Sequence, residues 1–398
     1  MKIFGLRIEK DRRSEVNAYA LNATEVTLPA DYAMAYGVDT YAFSAIDLIA
    51  ASMIRATWYV RDTDGNILKR KDAPHLYRLL EFPNTFMPWS TFISYEIRDL
   101  LARGNAFMEV SRSSGDIQFH RLVPGRITII VDPKEYISHY EYEVNEKVIN
   151  YNKKEVIFLR LADPNNENIG TGPLEIASKD IRLRGYTKLY LKAFFKNGTI
   201  LSGIIATKYP LSDEEFTKLQ RKIEGEYSGA GNMFRLFIMD SNEISKVELG
   251  SKMTDIPFDK LDPSLQTSIL AAFRVPSALI GGEGNATKAS AIAISGNFWN
   301  SVVIPYLILF RDSVNQRLAD SYPSKRIDFD ISKIPEIQSY FADISEKVSR
   351  LILVRTIKVD EGRAMLGLPP LENGMGDCLL TPQNESLEYI KGVLTNGT

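Results

Sequence analysis

Cysteine, histidine and charge imbalance are all scarce in this 398-residue chain. Cys378 is the only cysteine, which excludes internal disulfides and thiolate zinc clusters and suits a reducing compartment. The three histidines, His75, His120 and His139, form no close ligand pair, so a zinc enzyme is not expected. With 48 basic and 50 acidic residues the net charge is only -2, which excludes a strongly basic nucleic-acid clamp. Contact with nucleic acid is then restricted to local patches or simple enclosure. The start MKIFGLRIEKDRR lacks a secretory apolar core, and no uninterrupted apolar run approaches the ~18 residues of a membrane span, so a soluble, non-exported protein without membrane contact is expected.

Catalytic signatures are missing as well. There is no GxSxG, HExxH, CxxC or phosphate-loop motif, so neither an enzyme nor a cofactor is expected. The densest glycine stretch, GGEGNATKAS (281 to 290), fails the phosphate-loop pattern because Thr287 precedes Lys288 and Ala289 follows it. It reads as a pliable small-residue loop between two helical segments.

What is present is 44% apolar residues, enough for real cores. Residues 1 to 40 show weak periodicity and read as an extended arm. AFSAIDLIAASMIRA then has helical spacing, with Ser44 as its expected N-cap. TWYVRDTDGNILKRK alternates like a strand around Asp64-Gly65, a two-residue hairpin signal. Asp62 and Asp64 suggest calcium, but the other loop ligands are absent. WSTFISYEIRDLLAR is a second amphipathic helix, and residues 106 to 161 form a mostly antiparallel β region.

Pro173 opens an unbroken helical run to Gly198, along which Arg184, Lys188, Lys192 and Lys196 recur every four residues. This basic stripe is either a solvated face or a phosphate-facing one. A compact β-α-β-β unit of about fifty residues follows, its helix opened by a Ser212/Glu215 capping box. A helix beginning near Asp262 or Pro263 returns to Pro276, and the glycine loop comes next. Beyond it, a long apolar helix contains Pro305, which predicts a kink. Helices around 337 to 354 and at VDEGRAML, then the stop GLPPLENG, complete the pattern.

Five segments in this order carry a family resemblance: WSTFISYEIRDLLARGNAF (89 to 107), GTGPLEIA (170 to 177), FFKNGTILSGII (194 to 205), AFRVPSALIG (272 to 281) and GRAMLGLPPLENGMGD (362 to 377). Through them the chain resembles the portal proteins of long-tailed, lambdoid-capsid bacteriophages. Asn84-Thr85 departs from the family's frequent Asn-Pro, and the tail after the last motif is short.

The resemblance implies an α+β portal-type subunit. Its parts would be an arm (1 to 40), a mixed wing (41 to 172), two stem helices (173 to 198 and 258 to 276) and a clip (199 to 257). A tunnel loop (277 to 290), a second wing part with the long kinked helix and a strand (291 to 335), and a helical crown (336 to 398) would complete it. A dodecameric ring at one capsid vertex is implied, passing double-stranded DNA without sequence specificity during packaging and ejection. Partners would be the terminase large subunit, the major capsid protein and the head-tail adaptor or neck proteins, with localisation in the virion after assembly in the host cytoplasm.

Carried onto this sequence, Gly281, Gly282, Glu283, Gly284, Asn285, Thr287 and Lys288 would face DNA. Glu214, Lys218 and Arg221, expected to be exposed on the clip helix, would dock the motor. Ile181, Leu189 and Phe195 offer an apolar patch either to a neighbouring subunit or to the chain's own second stem helix. Other readings are a nucleotide-dependent enzyme, a neck adaptor or minor capsid protein, and the portal of a gene-transfer particle.

Overall fold

A computed structural model describes residues 25–27, 39–113, 116–132, 134, 136–197, 203–205, 246–248, 258–281 and 287–379, with positions 212, 214, 217, 218 and 221 between them. Of the expected arm, only Glu25–Thr27, Asp39 and Thr40 fall among these. Helix α1 is Thr40–Met53, one turn longer than expected, because Asp39 rather than Ser44 caps it. The Asp39 carboxylate accepts from the backbone N–H groups of Tyr41 (2.9 Å) and Ala42 (3.2 Å), satisfying orphan donors of the first turn. Ala42, Ala45, Ile46, Ile49 and Met53 then repeat at helical spacing and are fully buried.

The hairpin expected at Asp64-Gly65 is only half realised. Gly65 makes the turn at φ 95°, but the second arm pairs through the single bridge Arg61 to Ile67. Strand β2 (Thr57–Asp62) instead ladders antiparallel along its whole length with Lys325–Asp330. Burial explains the choice: that pairing encloses Trp58 among Trp89, Phe310 and Phe329, whereas Ile67 stays 67% exposed.

Helix α2 is Pro74–Leu79 and α3 is Trp89–Arg103. The β region follows as expected, in two antiparallel sheets. Strands β3 (Asn105–Ser113), β4 (Asp116–Leu122) and β8 (Val156–Arg160) form one, in the order β4-β3-β8. The other has the order β1-β5-β6-β7, with β1 (Glu25–Thr27) at its edge beside β5 (Ile127–Asp132), β6 (Tyr136–Val144) and β7 (Lys147–Asn152). Phe107, Ile129, Tyr140 and Tyr142 give these strands a small core of their own.

Helix α3 ends where Gly104 turns left-handed at φ 72°, donating to the Leu100 carbonyl. This turn lies directly against residues 170–172. Asn105 donates to the Gly170 carbonyl (2.9 Å) and accepts from its N–H (2.8 Å), while the Gly104 carbonyl accepts from Leu161. A Cβ on Gly170 would come within 2.1 Å of a backbone oxygen, and one on Gly172 within 2.5 Å of the Gly104 nitrogen. Only glycine fits. The clasp sets the starting point of α4 (Pro173–Asn197), whose first turn includes a bond from the Glu175 N–H to the Gly172 carbonyl.

Helix α5 (Phe258–Phe273) starts at the bound the resemblance implied, ahead of the Asp262-Pro263 start signal, and carries Pro263 inside it. It runs antiparallel to α4, since Arg184 meets Asp262 while Asp180 accepts from Ser268 at 2.5 Å. Leu174, Ala177 and Ile181 of α4 share the main core with Ile269, Leu270 and Phe273 of α5.

Strands β9 (Gly203–Ile205) and β10 (Lys246–Glu248) pair antiparallel. They fall within the stretch expected to form a β-α-β-β unit, most of which lies outside the described residues. Helices α6 (Lys288–Phe298) and α7 (Ile304–Leu318) join through a π-helical turn, Trp299–Val303, into one 31-residue helix. Pro305 lies two residues after that turn, so the irregularity expected there takes the form of widened helical turns. By length and composition alone this helix is long and apolar enough to cross a membrane, with mean hydropathy 1.4 in its most apolar window, as a core helix also can be. Polar residues interrupt the run, in keeping with the sequence reading that no uninterrupted apolar stretch is span-length. Its Trp299, Val303, Leu307, Phe310 and Val314 belong to the main core.

Strand β11 (Lys325–Asp330) is tethered to α7 by Asn315, which bonds both the N–H and the carbonyl of Ile327 at 2.8 Å. Helices α8 (Pro335–Leu353) and α9 (Val359–Met365) complete the described chain, close to their expected bounds.

Two buried ionisable groups distinguish the helical layer. Arg184 donates to Asp39 (2.6 Å) and Asp262 (2.7 Å) and lies 4.5 Å over the Tyr41 ring, joining α1, α4 and α5. Removing one member of such a group leaves an uncompensated buried charge. Arg184→Ala is therefore expected to lower unfolding stability by about 3–5 kcal/mol, against within about 0.5 kcal/mol for Lys188→Ala, checked by chemical denaturation. Glu96 on α3 is fully buried and neither carboxyl oxygen has a hydrogen-bond partner. Burial, reinforced by Asp99 and opposed by Arg121, pushes its carboxyl well above the ordinary 4.5. Folding thus favours the protonated form, and stability is lost as pH rises above about 4.5 toward the elevated value. Glu96→Gln should remove this decline, which in wild type has a slope of at most about 1.4 kcal/mol per pH unit, measured by melting between pH 5 and pH 8.

Candidate functional site

The glycine stretch lies between α5 and α6. Helix α5 ends in a left-handed residue, Arg274 (φ 55°), whose neighbour Val275 donates back to the Leu270 carbonyl. Pro276 blocks further helix, and Ser277–Ile280 makes one short 3-10 turn. Gly281 follows at φ 84°, with nothing within 4 Å of the place a Cβ would occupy. Gly282, Glu283, Gly284 and Asn285 lie outside the described residues.

Lys288 proves to be helical rather than a loop residue, and Thr287 is the cap that precedes it. The Thr287 hydroxyl caps α6 by accepting from the Ser290 N–H, and Lys288 is its first residue. The sequence contained this signal as a Thr-x-x-Ser start, which the loop reading overrode. Lys288 is exposed at the N-terminal end of a helix, the end that carries the positive pole of the helix dipole. A cation at that end works against the helix dipole, so helix stability does not explain it. The ammonium and the positive helix end together favour an anion without base selectivity.

The basic stripe on α4 divides. Arg184 is buried and fully committed to Asp39 and Asp262, so it is neither a solvated nor a phosphate-facing residue. Its partners lie 145 and 78 residues away in sequence, which is why four-residue spacing alone misassigned it. Lys188 and Lys192 are exposed, and Lys196 lies within α4 with its side chain outside the described set.

The apolar residues of α4 also divide. Ile181 faces the chain's own core, Leu189 is exposed, and the Phe195 side chain lies outside the description. Ile176, Leu183 and Tyr186 join Leu189 on the exposed side, and the sequence reading had not named these three. In the segment expected to be the clip, Glu214, Lys218 and Arg221 occupy exposed helical positions at i, i+4 and i+7, which puts them on one face. Ser212 is described as non-helical, and Glu215 lies outside the described residues.

The remaining candidates have local explanations. Asp62 accepts from the N–H groups of Asp64 (2.9 Å) and Asn66 (2.8 Å) and from the Asn66 amide (3.0 Å), closing the turn. His75 bonds Asp116 at 2.6 Å, His120 stacks on Phe86, and His139 approaches Glu141 at 3.6 Å.

Comparison with known proteins fits this geometry. An uncharacterised protein of Rickettsia bellii (strain RML369-C) is 25% identical over 387 residues, covering 94% of this chain and 97% of its own length. The portal protein of Escherichia phage T5 is 22% identical over 307 residues, covering 76% of this chain and 72% of its own. Among solved structures, a chain in the neck of a native GTA particle, computed with C12 symmetry, superposes with a TM-score of 0.62 at 20% identity. That match covers 89% of this chain and 98% of the other. The family described as phage portal protein matches residues 40–367, from the first residue of α1 to the turn after α9, and the chain therefore belongs to the phage portal protein family.

Proposed function

We propose that this portal protein assembles into a twelve-membered ring at one capsid vertex, through which double-stranded DNA enters and leaves the particle. The observation that carries the reading is the pair of antiparallel helices α4 and α5. Arg184 locks them together, and α4 keeps Ile176, Leu183, Tyr186 and Leu189 exposed on its free side. A heterologous ring needs one patch on each copy to fit a different patch on the next, and this unaccompanied apolar face supplies one side of such a contact. The C12 symmetry of the GTA neck, in which a chain of this fold occurs, supports twelve copies.

A duct for any genome makes no base-specific contacts and avoids strong attraction, because tight phosphate binding would hinder sliding. The near-neutral net charge suits that demand. Lys288 and the α6 N-terminus, with Gly281 to Asn285 before them, form the tunnel loop facing DNA. Lys188 and Lys192 add a weak positive lining. Glu214, Lys218 and Arg221 dock the terminase large subunit and later the neck proteins, while the wing meets the major capsid protein. The mature protein resides in the virion after assembly in the host cytoplasm. In this reading the chain performs no catalytic step and the motor hydrolyses nucleotide. A second setting, a gene transfer agent rather than an infectious phage, draws support from the GTA particle that contains this fold.

Native mass measurement and negative-stain images of the purified protein test the ring: closed annuli of about twelve subunits are expected, and monomers or small species under assembly conditions would exclude it. Two variants separate the further roles. Shortening Gly281 to Lys288 should spare assembly but reduce packaged DNA length or retention, and normally filled particles would remove the loop from the mechanism. Replacing Glu214, Lys218 and Arg221 together by alanine should weaken terminase binding on the order of tenfold, as loss of a small docking cluster does, with rings intact; unchanged binding would reject those residues.

A further inference from the structure

Three arginines converge on one open pocket that neither the ring nor the channel uses. The pocket measures about 410 Å³ and is lined by Arg61 of β2, Thr63 just after it, Arg326 of β11, and Arg311, Asp312 and Asn315 of α7. That volume lies in the range of small-ligand sites. Arg61 and Arg326 stand directly opposite each other in the antiparallel register, an arrangement that like charges disfavour. The register is set from the other face of the ribbon by burial of Trp58, so strand pairing itself gives no reason for the opposed cations.

The carboxylates nearby do not neutralise the three guanidinium groups. Asp328 accepts from Arg61 Nε (2.8 Å), from Arg311 Nη1 (3.3 Å) and from the Phe329 N–H (3.0 Å), so one negative charge is shared between two cations. Asp312 accepts from Arg311 Nε at 2.8 Å, but its side chain is 60% exposed, and such a pair is weak. Arg326 has no carboxylate partner among the described residues. Its Nη1 donates to the carbonyls of Tyr322, Pro323 and Lys325, which hold the side chain in place without cancelling its charge. Asn315 is likewise held, by both backbone groups of Ile327. Both Nη atoms of Arg61, Nε and Nη2 of Arg326, and Nη2 of Arg311 donate to nothing among the described residues.

These donors come from two strands and a helix. A planar carboxylate, with two oxygens, matches a single guanidinium fork, whereas a tetrahedral anion offers oxygens in several directions at once. The geometry points to a binding site for a tetrahedral oxyanion of the phosphate class, held in this pocket by Arg61, Arg311 and Arg326. The site does not rest on the ring or the channel, and its failure would leave that reading intact.

Calorimetric titration of the full-chain protein with inorganic phosphate, at constant ionic strength in chloride, tests it. Saturable binding of one phosphate per chain is expected, with acetate at least about tenfold weaker because it presents two oxygens rather than four. Arg326→Gln, which removes a charge, and Arg61→Lys, which keeps the charge but loses the fork, should each weaken phosphate binding on the order of tenfold, with melting in chloride showing that both remain folded. No saturable binding by the wild type, equal affinity for acetate, or undiminished phosphate binding in both variants would each overturn the site. A short duplex of random sequence separates the sources of the phosphate. Duplex binding weakened by the same substitutions assigns the group to a nucleic-acid backbone, and duplex binding untouched by them assigns it to a free anion.

Discussion

The helical layer of this protein depends on one buried guanidinium. Arg184 leaves α4 and reaches Asp39, which is simultaneously capping α1, and Asp262 on α5. The planar fork of arginine can meet two carboxylates from different directions and still stack on Tyr41, which a lysine ammonium cannot do. Burying such a charge is unfavourable unless every partner is in place, so the contact specifies geometry more than it adds stability. Asp39 is 4% exposed and Arg184 6%, leaving little room for an alternative arrangement. For a pair of helices that must stand in fixed relation to α1 and to each other, that specificity is the useful property.

A second constraint is steric. The segments GNAF and GTGP lie far apart in sequence, but Gly104, Gly170 and Gly172 bring their backbones into direct contact. Any side chain at these three positions would collide with main-chain atoms, so the start of α4 is positioned by the sheet layer rather than by its own sequence. The last motif works in the same way on a smaller scale. Gly376 admits the Asp360 carboxylate, whose oxygen also accepts from Leu371, folding GLPPLENGMGD back around α9. Two of the five motifs thus meet through close backbone approach, and the last closes on a side chain.

The long helix from Lys288 to Leu318 links the proposed channel to the core. Its first residues carry the exposed cation and capped N-terminus, its middle widens into a π-helical turn before Pro305, and its last turns hold β11 through Asn315. Disturbance at the glycine loop therefore meets an irregular helical segment before it reaches the packed aromatic residues Trp58, Trp89 and Phe310. The exposed face of α4 is, by contrast, a surface left for another element.

Much of the architecture was legible in the sequence because it is local. Helical spacing, Gly104 as a stop, Pro173 as a start and alternating β-branched runs located α3, α4, α8, α9 and the β region within a few residues. The order of five short motifs identified the family. Non-local pairing was not legible. Asp64-Gly65 makes its turn, but β2 takes β11 as partner because burial of Trp58 outweighs hairpin proximity. Arg184 shares the spacing of Lys188 and Lys192 but points at carboxylates supplied by two other helices. Thr287 and Lys288 belong to a helix whose cap was hidden in a glycine-rich context. Periodicity reports which face a residue occupies, and the sequence determined that much; what each face meets is set by chain segments brought from a distance, and only the tertiary structure decided it.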